Sequence, residues 1–154
     1  MIEIIYCAFF LALCFVFIID IKSFTIPFKL CIFIAFLGIL KFITQEMSLS
    51  GFVNIIIGCF AVSLPMLALA VVYGAVGGGD VKLFAALGLF FGWKLIILCA
   101  VISFLLGGLF SAILIIIKKR NIKDAVPFGP FISISAIFTA VFGNAIIDWY
   151  AGLV

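Results

Sequence analysis

Charge is what this chain has least of. Asp, Glu, Lys and Arg make up only 10% of its 154 residues, against about 25% in soluble domains, which is too little polarity to coat a water-soluble surface. Histidine is absent, and the five cysteines form no C-x-x-C pair. That removes the usual zinc ligand sets and the spacing of a disulfide framework, so neither a metal nor an organic cofactor is expected. Cys7, Cys14, Cys31, Cys59 and Cys99 all fall inside apolar stretches, where free cysteine packs as a small hydrophobe. The net charge of +3 comes from nine basic and six acidic residues, too scattered to build a nucleic-acid surface. A secretory signal is missing as well: Glu3 is the only early charge, and no small-residue cleavage site follows the first apolar run. That run is therefore expected to be retained.

What the chain has is hydrophobicity. Residues of apolar type make up 69% of it. Uncharged runs such as Leu95–Ile117 reach the roughly 20 residues that span a hydrocarbon core. Six segments stand out, at about 2–19, 28–43, 52–73, a short one at 81–93, 95–117 and 128–149. None alternates as a barrel strand would, so helices are the expected spans. The expected fold is all-α: one polytopic membrane helical bundle of about six transmembrane helices over residues 1–154. Pro27 and the pair Pro127 and Pro130 sit where helices should begin, and Pro65 is expected to kink the third segment.

Basic residues orient the bundle. Lys22 and Lys29 flank the first loop, Lys82 follows the third, and Lys118, Lys119, Arg120 and Lys123 fill the fifth, whereas the even loops hold only Lys41 and Lys94. The positive-inside rule then puts the odd loops in the cytoplasm and both termini outside, in the inner (cytoplasmic) membrane of a cell. The basic fifth loop is read as a topology determinant in contact with anionic membrane lipid.

Against this background the stretch Gly77-Gly78-Gly79-Asp80 carries the most information. Glycine lets backbones approach closely, and an acid at a membrane helix end is costly unless something pairs or uses it. Asp20 closes the first apolar segment in the same way, and the topology brings it to the same side as Asp80. Two close carboxylates cannot both ionise cheaply, so one holds a proton while the other acts as base. That pair can activate water and protonate a leaving amine. Asp124 and Asp148 read instead as solvated or interfacial charges. A small ion or solute transporter subunit that uses intramembrane carboxylates is the alternative, and an assembly subunit with inert acids is a third. Transport predicts acids near the midplane and polar helix faces, whereas these acids lie at helix ends.

At these residues the chain resembles the prepilin peptidases, membrane aspartic proteases with a G-x-G-D motif. Three separated pieces carry the resemblance: Asp20-Ile-Lys-Ser-Phe-Thr-Ile-Pro27, Gly77-Gly78-Gly79-Asp80-Val-Lys-Leu83 and Pro127-Phe-Gly-Pro-Phe131. The resemblance implies an aspartic endopeptidase with Asp20 and Asp80 as catalytic acids. It implies that Pro27, Gly77, Gly78, Gly79, Lys82, Pro127, Gly129 and Pro130 bind substrate or support the site. The implied substrate is a pilin-like precursor, cut on the cytoplasmic side after a basic leader that typically ends in glycine. Phe28 departs from the family, which often has asparagine after the Ile-Pro. No counterpart of the cysteine-containing domain linked to N-methylation is seen, so the resemblance is to the short, peptidase-only form of tight-adherence pilus and related secretion systems.

Overall fold

The computed structural model describes residues 1–45, 48–73, 77–117 and 127–152. Its six α-helices follow one another in the order of the apolar segments, with no strand among the described residues. They are α1 (Ile2–Ser23), α2 (Phe28–Gln45), α3 (Leu49–Tyr73), α4 (Gly78–Phe91), α5 (Trp93–Ile116) and α6 (Gly129–Ala151).

Local chemistry explains most of the boundaries. Phe24 ends α1 in the left-handed region at φ 53°, a conformation costing a residue with a Cβ roughly 1 kcal/mol. Ser23 holds the turn, its Oγ donating to the Ile19 carbonyl at 2.8 Å while Thr25 Oγ1 donates to it at 3.0 Å. Pro27 then fixes φ ahead of α2, and its carbonyl accepts the Leu30 N–H at 3.0 Å. Gly92, at φ 76°, separates α4 from α5 in a conformation that glycine adopts freely. Pro130 stands in the first turn of α6, where a missing N–H costs nothing. Through Pro65, α3 continues as one helix.

Two boundaries differ from the sequence expectation in a way that matters. The fourth helix covers 78–91 instead of 81–93, and the first runs on to Ser23. Asp80 is therefore in the first turn of α4 and Asp20 in the last turn of α1, both held on rigid helix. Lys82 and Lys41, counted above as loop charges, also lie inside helices, in α4 and α2.

Five of the helices are long and apolar enough to cross a membrane. With 14 residues, α4 is about 21 Å long, short of a hydrocarbon core of roughly 30 Å. It survives because it is enclosed by protein: α2, α3 and α5 pack around it, and Leu83, Phe84, Leu87 and Phe90 are buried. Phe90 stacks on Phe9 of α1 with ring centroids 3.9 Å apart. The outer faces of the long helices carry exposed Phe15, Phe36, Phe60, Leu105 and Leu109 among others. Such a belt would drive aggregation in water and is what a helix shows to lipid. The chain is a multi-pass membrane protein.

Between α5 and α6 a buried polar seam joins the helices. Ser103 and Ser135 meet Oγ to Oγ, and each Oγ also lies at hydrogen-bonding distance from a carbonyl of its own helix, Ser103 from Cys99 at 2.7 Å and Ser135 from Ile132 at 3.0 Å, so two hydroxyl protons serve three contacts. Polar bonds of this kind fix helix register where lipid offers no hydrophobic drive for association. The register of α6 matters because its first residue enters the site.

Candidate active site

Asp20 comes to the site from α1 and is 3% exposed. Its Oδ2 accepts the backbone N–H of Gly129 at 2.9 Å, a bond spanning 109 positions of sequence. Gly129 is the first residue of α6, and its N–H is one of the donors that a helix start leaves without an internal partner. A carboxylate oxygen is a favourable acceptor there, both as a charged acceptor and because the helix dipole ends there. Glycine is required by space: a Cβ at position 129 would stand 2.6 Å from Asp20 Oδ2.

Asp80 comes from the first turn of α4. Gly77 caps that helix in extended conformation, and its carbonyl accepts the Asp80 N–H at 3.0 Å. The three glycines are not equivalent. A Cβ on Gly77 would come within 3.0 Å of Asp80 Oδ2, and one on Gly79 within 3.2 Å of Ile26 Cβ, but one on Gly78 would meet nothing within 4 Å. The first and third glycines of the G-x-G-D stretch are thus constrained by space, and the second is not. Gly79 against Ile26 also docks α4 on the loop that follows Asp20. Because Gly79 packs on Ile26, Asp80 in the next position lies at the end of the bundle where Asp20 closes α1, so two acids 60 positions apart in sequence come to one region.

The other expected residues gather at the same end of the bundle. Lys82 places its Nζ 4.9 Å from the centre of the Phe28 ring, so the aromatic side chain that stands after Pro27 holds a cation. Pro27 lies beside Ile26, and the half-buried Pro127 leads into Phe128. The Phe128 ring packs on Phe104 at 5.3 Å and sits over Gly107, where a Cβ would meet it at 2.7 Å. Gly107 makes room for the α6 start, whereas Gly108 faces open space. Asp148 lies in the last turn of α6, remote from that start. Asp124 and the basic loop Lys118–Lys123 fall outside the described residues. Ile26, which belongs to the Ile-Pro of the first motif but was given no role there, is the contact that seats Gly79; its place before Pro27 favours an extended backbone.

At the opposite end, a cavity of about 490 Å³ is lined by Tyr6, Lys41, Gln45, Asn54, Phe90 and Asn144, among others. It contains neither aspartate. Among the described residues no three Cys, Asp or Glu side chains gather as a metal site would require. Two carboxylates are thus brought to the same end of the bundle, one held by a backbone donor of α6 and the other in the first turn of α4.

Comparison with known proteins gives the family. The model of the type IV leader peptidase family matches residues 7–112, a stretch that contains both aspartates. A prepilin leader peptidase/N-methyltransferase of Bacillus subtilis is 31% identical over 135 residues, covering 85% of this chain and 52% of that protein. Proteins of the same description from Legionella pneumophila and Aeromonas salmonicida are 40% and 35% identical over 76 and 74 residues, about half of this chain and a quarter of theirs. The chain thus spans about half or less of the curated relatives it matches. No solved structure gives a significant match. With a family match over most of its length, the chain belongs to the type IV leader peptidase family.

Proposed function

We propose that this protein is a membrane-embedded aspartic endopeptidase that removes the leader from type IV pilin-like precursors, with Asp20 and Asp80 as its catalytic acids. The observation that carries the reading is the bond from Gly129 N–H to Asp20, together with the seat of Gly79 against Ile26. These draw all three motif segments to one end of the bundle.

In the proposed reaction the pair shares one proton. The ionised carboxyl takes a proton from water as the water oxygen attacks the scissile carbonyl carbon, and the protonated carboxyl hydrogen-bonds the carbonyl oxygen. Proton transfer to the amide nitrogen then breaks the C–N bond and releases leader acid and pilin amine. Because the protons belong to the pair, the two pKa values are joint properties. The bond from Gly129 ties up one Asp20 oxygen and leaves the second for the water.

The family's relatives are named for prepilin leaders, which supports a substrate made of a basic leader, a glycine and an apolar helix. The lysine and arginine asymmetry supports a cytoplasmic acid end in the inner membrane, with both termini outside. The test is coexpression with a pilin-like precursor and N-terminal sequencing of the product. The expected product begins just after the leader glycine, and a cut on the external side would identify another kind of protease. On a background without native cysteines, Ser48→Cys should react with an impermeant external thiol reagent and Thr25→Cys should not. Labelling at position 25 from outside would invert the orientation.

A further inference from the structure

The helix that carries Asp80 is held at its far end by groups that no motif includes. The last carbonyls of α4 are buried among protein, since Phe90 and Phe91 are 2% and 7% exposed, and a helix end leaves such carbonyls without internal donors. Lys41 of α2 supplies one: its Nζ donates to the Phe90 carbonyl at 3.1 Å. The same ammonium lies 4.6 Å from the Phe90 ring centre and 5.4 Å from that of Tyr6. A cation at a helix C-terminus is also favoured by the dipole. One residue past Gly92, the Trp93 N–H donates to Asn54 Oδ1 of α3 at 3.1 Å.

The flanks of α4 offer no comparable stop. Gly38 of α2 lies against the Leu89 and Phe90 backbone, where a Cβ would stand 2.8 Å away, and Gly58 of α3 lies against the backbone of Gly88 and Gly92. Such contacts allow close approach but present no side chain to block sliding along the axis, and apolar packing is non-directional. Among the described residues, the directional bonds that link α4 and the turn after it to α2 and α3 at this end are those of Lys41 and Asn54. Asp80 lies ten residues before Phe90, about 15 Å along a rigid helix, so a shift of the anchored end is delivered whole to the carboxylate.

We infer that Lys41 is a positioning residue, which with Asn54 sets the height of α4 and thereby the approach of Asp80 to Asp20. This rests on the peptidase reading for its effect on rate, but not for its geometry. A misplacement of about 1 Å can cost roughly 10²-fold in rate. Lys41→Met should therefore lower kcat by roughly tenfold or more with KM little changed, and Lys41→Arg, which keeps the donor and the charge, should restore it to within a few-fold.

Geometry is read separately by a disulfide. A Cβ at position 79 would lie 3.2 Å from Ile26 Cβ, close to the roughly 3.5–4.5 Å of a disulfide. With Ile26→Cys and Gly79→Cys on a background lacking the native cysteines, Lys41→Met should slow crosslinking several-fold and Lys41→Arg should not. If Lys41→Met does not accumulate in the membrane, Asn54→Ala is expected to give the same slowing. Crosslinking and kcat per folded molecule both equal to the parent would overturn the proposal and leave Lys41 only a stabilising role. Slowed crosslinking in a protein whose parent cleaves no precursor would uphold it while overturning the peptidase reading.

Discussion

The two ends of this bundle use polar groups in opposite ways. At one end Lys41 and Asn54 bond to backbone groups of Phe90 and Trp93, and aromatic rings close around the cation. Polar atoms there finish helices. At the other end Asp20 and Asp80 come from different helices to one region, a backbone donor holds one oxygen of Asp20, and glycines replace side chains where backbone and carboxylate meet. Carboxylates set side by side are costly in a low-dielectric setting, whereas a lysine on a helix C-terminus lowers the energy of both partners. One end thus gathers acids whose charged forms are costly and the other gives a cation its partners, which is the division the proposed dyad and its support would need.

The sharpest way to break this comparison is to remove one acid. Asp20→Asn and Asp80→Asn should each lower precursor cleavage by roughly 10³-fold or more, with the double variant little worse, since groups acting as a unit are strongly non-additive. Asp148→Asn, at the opposite end, should stay within a few-fold in the same cleavage assay. Near-normal cleavage by Asp80→Asn would sink the dyad.

Next in size is the donor to Asp20. Gly129→Ala places a Cβ against Asp20 Oδ2, and the carboxylate or α6 must move. Cleavage should fall by roughly 10²-fold while the amount of inserted protein is kept. The glycines of α4 give a finer comparison. Gly79→Val should cost about tenfold through Ile26, because a misplaced α4 start misplaces Asp80. Gly78→Ala, which meets open space, should be within a few-fold, and equal losses at 78 and 79 would show that backbone freedom and not space is what the motif needs. Last comes Gly88→Ala, read through stability, where a Cβ meets the Gly58 backbone at the end of α4 that Lys41 anchors. It should lower stability in detergent by about 1–3 kcal/mol, read as a drop in the thermal unfolding midpoint.

Much of this was readable along the chain. Apolar segments near 20 residues long predicted the helices, and Pro27 and Pro130 mark helix starts through the φ their rings fix. The acids and the glycine run were legible because charge is so scarce here that each carboxylate needs an account. Three things were less legible. The start of α4 at Gly78 was missed because glycine is a poor helix former, and the packing of α2, α3 and α5 overrides that preference. Lys41 was read as a loop charge because its partner, the Phe90 carbonyl, is 49 positions away. The roles of Gly77, Gly78 and Gly79 could not be separated, because identical residues differ only in what lies opposite them.

The sequence by itself determined the solvent this protein lives in, the number and order of its helices, and which residues were worth asking about. Composition and the length of apolar runs act locally and need no partner to be read. Only the tertiary structure decided which glycines have no room for a side chain, that a backbone N–H of α6 holds Asp20, and that a lysine of α2 caps the helix bearing Asp80. Those are contacts between residues distant in sequence, set by how helix surfaces meet.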